Sequence, residues 1–104
     1  MRTVVIACFA AAALWAAPGS STAGKEVYDK SCKTCHGAAG QGNPTLGKML
    51  KVEFRHLGSK EVQSKTDDEM KNAITQGSGK MKPVTGLSKK QVDDVVAFVR
   101  TLKQ

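Results

Sequence analysis

Two cysteines three positions apart, with a histidine directly after the second, are the residues of this chain best suited to chemistry. They are Cys32, Cys35 and His36, in the stretch KSCKTCHGAAG at residues 30–40. Three kinds of site use such groups: a dithiol that cycles to a disulfide, a zinc site, and an attachment site for haem. The rest of the sequence has to distinguish between them.

The dithiol and zinc interpretations lack the surroundings that those sites need. A redox-active pair usually lies at a helix N-terminus within a βαβ unit. Here the pair falls near the end of a predicted helix, and no segment of residues 24–104 alternates like a strand. A closed zinc site needs four ligands. His56 is the candidate for the fourth, but it stands alone rather than in a second pair of ligands.

Haem attachment accounts for all three residues. Cysteines at i and i+3 lie on one helical face, so their sulfurs can form thioether bonds with two vinyl groups of one porphyrin. The histidine that follows then lies beneath the iron as its proximal ligand, and C-x-x-C-H is the signal for c-type haem attachment. The spacing therefore predicts one covalently bound haem c on Cys32, Cys35 and His36.

The first 23 residues have the features of a secretory signal peptide. Arg2 supplies a positive charge, residues 4–17 are uncharged and mostly apolar, and the residues up to Ala23 fit a small-x-small cleavage pattern. The apolar run is shorter than the roughly 20 residues that cross a bilayer. We therefore expect residues 1–23 to be removed, with no stable membrane insertion of a periplasmic product. The alternative is a retained anchor helix.

The remaining residues, 24–104, are expected to form a single small domain. They keep two cysteines and only three aromatic residues, Tyr28, Phe54 and Phe98. So short a chain buries little apolar surface, and a disulfide across so small a loop would stabilise it little. A large apolar cofactor would complete the core.

The charge of the chain is strongly positive, with 16 Lys and Arg against nine Asp and Glu. Part of this excess serves solubility. The lysines are scattered and no aromatic residues interleave them, so we expect no nucleic-acid binding. Acidic protein partners fit the charge better.

Helix signals predict an all-α fold with long loops. A loop is expected over residues 37–47, and an ambiguous segment, at most a short helical turn, over 48–57. Loops of this length in a small helical domain are expected to wrap a cofactor. Four helices are expected. The first covers residues 24–35, and the second is short and capped by Ser59. The third begins at Thr66 and Glu69 and ends at Gly77, and the last begins at Ser88 and Gln91.

The second axial ligand is expected to be a methionine in a loop. Met70 lies on the apolar face of a predicted helix, and Met49 adjoins another apolar residue, so both are expected to pack in the core. Met81 lies in the glycine-rich stretch GSGKMKPVTG, which can bring its thioether to the iron opposite His36. His56 is a minor alternative.

These motifs resemble those of the small class I monohaem cytochromes c, over essentially all of residues 24–104. The CKTCH motif, Gly24 and Tyr28 in the first helix, the GKMKP loop and Val95 and Phe98 in the last helix match that family. The resemblance implies the cytochrome c fold, three to five short helices wrapped round one covalently bound haem. Its first and last helices would cross closely at Gly24, with Tyr28 stacked near Phe98.

The resemblance also implies further haem contacts. The Pro44 carbonyl would accept a hydrogen bond from Nδ1–H of His36, and Leu46 would pack against the porphyrin. The family often uses a tryptophan to hydrogen-bond a haem propionate, and residues 24–104 contain none. Arg55 and His56 are the candidates to replace it.

The function implied is electron transfer rather than enzyme catalysis. With His36 and Met81 both bound, iron would have no open position for a substrate and would cycle between Fe(III) and Fe(II) at a high potential. The expected partners of this monomer are redox proteins with acidic docking surfaces, attracted by Lys33, Lys80 and Lys82. Two alternatives stay open: a gas-sensing or peroxide-binding haem protein with a labile sixth ligand, and an electron-transfer subunit of a larger complex.

Overall fold

A computed structural model describes residues 19–104, whose regular elements are helices. These residues form α1 (Ser21–Ser31), α2 (Lys33–His36), α3 (Pro44–Leu50), α4 (Lys60–Gln63), α5 (Asp67–Gln76) and α6 (Lys89–Thr101). The all-α prediction is confirmed, with six helices in this part of the chain against the four expected, because the first is interrupted at Cys32 and α3 forms where a loop and an ambiguous segment were expected. Residues 1–18 of the predicted signal peptide lie outside the described part of the chain. No helix in that part is long and apolar enough to span a bilayer.

The N-terminus of α5 forms where the sequence signals predicted it. The hydroxyl of Thr66 accepts the backbone N–H of Glu69 at 3.1 Å, and the carboxylate of Glu69 accepts the backbone N–H of Thr66 at 3.0 Å. Ser88 and Gln91 form the same reciprocal pair at the start of α6. Each pair satisfies two backbone donors that the first turn of a helix leaves free.

The prediction of a loop over residues 37–47 is wrong for its second part, because α3 begins at Pro44. The side-chain oxygen of Asn43 accepts the backbone N–H groups of Thr45 and Leu46 at 3.1 and 3.2 Å. Proline is well suited to the first helical position because its missing N–H has no partner there. The Asn-Pro pair, interpreted as a turn signal, is therefore the start of a helix.

The crossing of α1 and α6 is the centre of the core. A Cβ atom on Gly24 would lie 1.8 Å from the carbonyl oxygen of Asp94, so the two backbones touch there. One turn further on, the rings of Tyr28 and Phe98 pack with their centroids 4.9 Å apart. Tyr28 and Val95 are completely buried. The close crossing and the aromatic contact that the resemblance implied are both confirmed.

The start of α1 is fixed by Ser20. Its hydroxyl accepts the backbone N–H of Ala23, and its own backbone N–H donates to the Asp94 carboxylate at 2.7 Å. Asp94 is buried and also pairs with Lys90 at 3.0 Å. The hydrogen bond from Ser20, followed by that from Lys90, holds the pKa of Asp94 below its usual range. The boundary predicted between Ala23 and Gly24 therefore lies inside α1.

Candidate functional site

A cleft bordered by α1, α5 and α6 brings several of the predicted site residues together. Its volume is about 230 Å³, several times the ~30 Å³ that a water molecule occupies. Its walls are mostly apolar, so it can hold an apolar group much larger than water. The lining residues are Tyr28, Cys32, His36, Leu57, Val62, Lys65, Met70, Ala73, Ile74, Ser78, Met81, Val95, Val96 and Val99.

The two cysteines and the histidine share one helical turn. α1 ends at Ser31, and the backbone N–H groups of Cys35 and His36 both donate to the carbonyl oxygen of Cys32, at 3.2 and 3.0 Å. Both cysteines are free thiols. Cys32 is buried and lines the cleft, whereas Cys35 is half-buried and does not line it.

The ionisation of Cys32 argues against a redox dithiol. Burial, and secondarily the neighbouring Cys35, raises the pKa of the Cys32 thiol to about 11. Redox-active cysteines need a lowered pKa, because the thiolate is the nucleophile. His56, the fourth ligand that the zinc interpretation needs, is engaged elsewhere: its Nδ1 accepts the backbone N–H of Gly58 at 2.9 Å.

His36 has the properties of a metal-binding imidazole. Burial lowers its pKa, which favours the neutral ring that binds metals. Its Nδ1 atom is buried and has no hydrogen-bond partner within residues 19–104. A buried unpaired nitrogen costs about 1–3 kcal/mol. A neutral imidazole with an unpaired nitrogen, beside a buried thiol and an apolar cleft, fits an axial ligand of a haem iron.

Pro44 and Leu46 are not placed in the cleft. Pro44 lines a second cavity together with Phe54, whose ring meets that of His36 edge-on at a centroid distance of 5.8 Å. The expected hydrogen bond from His36 Nδ1 to the Pro44 carbonyl is not formed. Leu46 is half-buried and lines neither cavity.

Met81 reaches the cleft from the loop after α5. Gly77, with φ of 79°, ends that helix, and a Cβ atom there would lie 2.5 Å from the carbonyl oxygen of Met81. Ser78 and Met81 exchange backbone hydrogen bonds of 3.0 and 2.9 Å, which closes a tight turn. The half-buried Met81 side chain packs against the core. His36 and Met81 therefore line the same cleft.

The two other methionines differ from each other. Met70 is buried in α5, as expected, and also borders the cleft. Met49 is 73% exposed, so the expectation that it packs in the core is wrong. Met49 lies one residue before the end of α3, which is at Leu50.

The cation beside the cleft is one that the sequence did not indicate. Arg55 forms an exposed ion pair with Glu61 and does not line the cleft. His56 is also outside it. Lys65 does line the cleft, and its carbonyl oxygen accepts a hydrogen bond of 2.6 Å from Arg100. Its only sequence signal is its place directly before the N-cap of α5.

Comparisons with known proteins agree with this geometry. The family model described as Cytochrome c matches residues 21–103. The chain is 30% identical to cytochrome c-554(547) of Halothiobacillus neapolitanus over 90 residues, which cover 82% of this chain and 99% of that protein. Among solved structures, the KustC0563 c-type cytochrome matches with 31% identity and a TM-score of 0.68, over 78% of this chain and 98% of that one.

A second curated relative is longer than this chain. The thiosulfate dehydrogenase electron acceptor of Thiomonas intermedia (strain K12) is 33% identical over 105 residues. The match covers 99% of this chain but 45% of the relative, so the chain spans about half of that protein's length.

Proposed function

Because the chain belongs to the cytochrome c family and transfers electrons through a covalently bound haem c, we propose that His36 and Met81 are the two axial ligands of the iron. The single observation that carries this proposal is that both side chains line one apolar cleft with Cys32. The burial of the His36 ring supports it, because it lowers the pKa of the imidazole and so favours the neutral form that binds metals.

The haem supplies the Fe(III)/Fe(II) couple when it is bound. The protein's part is to hold it and to exclude water. The Cys32 and Cys35 sulfurs would form the thioether bonds, and Val95, Val96 and Val99 of α6 supply an apolar wall. A low dielectric and a thioether ligand both favour the ferrous state, so we expect a high potential.

The turn that carries Met81 favours an electron carrier over a gas sensor. Two backbone hydrogen bonds between Ser78 and Met81 hold the turn closed, and Val84 N–H donates to the Ile74 carbonyl just beyond it, at 2.8 Å. A turn closed in this way keeps the Met81 side chain at the cleft, which favours a ligand that stays bound. With both axial positions filled, no position is left for a substrate, which supports a carrier rather than an enzyme.

The partners in this proposal are acidic redox proteins that meet a monomeric carrier in the periplasm. The proposal of export rests on the apolar N-terminal segment of the sequence. The name of the Thiomonas relative indicates the first donor to try, a dehydrogenase that oxidises thiosulfate. A relative of that kind supports an electron-transfer role for this chain.

The test is the optical spectrum of the ferric holoprotein beside that of the Met81→Ala variant. We expect a low-spin spectrum with a weak far-red band from sulfur ligation, which the variant loses as it becomes high-spin. The Met49→Ala variant is the matched control, since Met49 is exposed, and its spectrum should equal that of the wild type. An unchanged spectrum for Met81→Ala, or a wild type that binds carbon monoxide readily in the ferrous state, overturns the proposal.

A further inference from the structure

Two adjacent apolar side chains at the end of α3 are left in water. Met49 is 73% exposed and Leu50 is 44% exposed, and they are the exposed large hydrophobic residues of the described part of the chain. The helix ends at Leu50, and the next residue, Lys51, has a φ of 54° that turns the chain away. Covering apolar surface is favourable because it is removed from water, so this pair is a favourable contact point for another molecule.

Lysines surround this pair. Lys48 and Lys51 flank it in sequence, and both are exposed. Lys80 approaches from the loop after α5, where its Nζ donates to the carbonyl oxygen of Leu50 at 2.5 Å. That bond places the apolar pair beside the loop of Met81, the residue next to Lys80. We call Lys48, Met49, Leu50, Lys51 and Lys80 the α3 patch.

Within residues 19–104, no carboxylate forms an ion pair with a lysine of the α3 patch, although Glu53 lines a cavity together with Lys48 and Lys51. Residues 30–52 and 70–92, which include all of the patch, contain nine lysines and no aspartate or glutamate. The patch therefore combines an apolar centre with unpaired positive charge.

We propose that the α3 patch is the surface on which an acidic redox protein docks, with Met49 and Leu50 covered at the centre and the three lysines facing carboxylates. The proposal rests on the electron-carrier function. Charges of this kind steer encounters and fix orientation, and a small apolar centre gives a contact that also dissociates quickly. Electron-transfer encounters of this kind bury little surface, under about 1,200 Å². A second copy of this chain is a poor occupant because it would place lysines against lysines.

The test uses the ferric holoprotein and flavodoxin hydroquinone, an acidic flavoprotein, as the donor. In this reaction the anionic flavin hydroquinone gives up one electron and becomes the neutral semiquinone, and Fe(III) becomes Fe(II). The second-order rate constant is measured for the wild type and for Met49→Ser at high salt. Free FMN hydroquinone is the control donor, because it reports access to the haem without protein docking.

We expect Met49→Ser to lower the rate constant with flavodoxin about fivefold and to leave the rate with free flavin within about twofold. The charge variants Lys48→Gln and Lys51→Gln should slow the flavodoxin reaction about threefold at low salt, and the effect should vanish at high salt. The matched control is Lys60→Gln, an exposed lysine of α4 outside the patch, which should leave the rate unchanged.

Three results would overturn the proposal. The first is a normal flavodoxin rate for Met49→Ser, and the second is an equal loss with both donors. The third is a wild-type dimer, seen by sedimentation, that disappears in Met49→Ser, because the patch would then hold a second copy. Failure of the proposed carrier function is a separate result. It would appear as an unchanged spectrum for Met81→Ala, whereas the ratio of the Met49→Ser rate to the wild-type rate could still be measured with both donors.

Discussion

The hydroxyl of Tyr28 donates a hydrogen bond of 2.5 Å to the carbonyl oxygen of Gly37, the residue directly after His36. The ring of the same tyrosine packs against Phe98 in the crossing of α1 and α6. One side chain therefore connects the centre of the core to the peptide that follows the iron ligand.

Replacing Tyr28 with phenylalanine keeps the ring contact and removes this hydrogen bond. We expect the Tyr28→Phe variant to lose about 1 kcal/mol of unfolding free energy, the usual net worth of such a bond. Denaturant unfolding of the holoprotein gives the value. Tyr28→Leu, which also removes the contact with Phe98, should lose clearly more. A Tyr28→Phe variant as stable as the wild type would show that the hydroxyl contributes nothing.

The same tyrosine predicts a loss of stability at alkaline pH. Burial, and then the charges of Cys32 and Asp29, raises the pKa of Tyr28 to about 12. The unfolded chain releases the phenolic proton near pH 10, where the folded protein still holds it, so unfolding is favoured as the pH rises from about 10 to 12. Unfolding at several pH values should show this loss in the wild type. The Tyr28→Phe variant should lack the part of this loss that comes from the phenol. Curves of unfolding free energy against pH that run parallel for the two proteins would contradict the prediction.

The helix boundaries at capping boxes were predictable because their signals are local. Thr66 with Glu69, and Ser88 with Gln91, satisfy backbone donors within one turn, whatever surrounds them. The start of α3 is equally local, but Asn43 lies in a stretch whose glycine, asparagine and proline content predicts a loop. The exposure of Met49 was not predictable, because it depends on whether a distant element covers a short helix.

The residues of the site also divide into those that a local signal predicts and those that only distant contacts bring into place. Cys32, Cys35 and His36 are recognisable from their order alone, since one helical turn carries them. The proximity of Lys65 to the cleft depends on how the segment between α4 and α5 is held by Arg100, which is a contact between residues far apart in sequence.

Gly24 allows the close crossing of α1 and α6, so Gly24→Ala should be strongly destabilising. The added methyl group would lie 1.8 Å from a backbone oxygen that cannot move aside. We expect a loss of about 3 kcal/mol. Gly79→Ala is the control, because its Cβ atom would meet nothing within 4 Å, although its φ of 57° still costs about 1 kcal/mol. Thermal unfolding that ranks the two variants in the opposite order would refute the prediction.

If the N-terminal segment is removed on export, as we propose, the bond between Ser20 and Asp94 predicts where the remaining protein begins. Cleavage after Ala23 would remove both the cap of α1 and this bond, so we expect Ser20 to remain in the folded protein. The intact mass of the secreted holoprotein identifies its first residue. A first residue of Gly24, in a protein as stable as a version that begins at Ser20, would contradict this expectation.

Lys65 is expected to raise the reduction potential, because a cation beside the cleft favours the reduced, less positive haem. We expect Lys65→Met to lower the potential by about 30 mV. Lys60→Met removes the same charge from an exposed position in α4 outside the cleft, and it should have a smaller effect. Equal shifts in a redox titration would mean that Lys65 acts only through the net charge of the protein.

Peptide mapping of the mature holoprotein tests the covalent attachment most directly. Cleavage after Lys30, Lys33 and Lys48 places Cys32 and Cys35 in separate peptides, residues 31–33 and 34–48. With a thioether bond at each cysteine, mass spectrometry will find the two peptides joined through one haem, with no free thiol. Two separate peptides with free thiols, or two joined by a disulfide alone, would contradict the account.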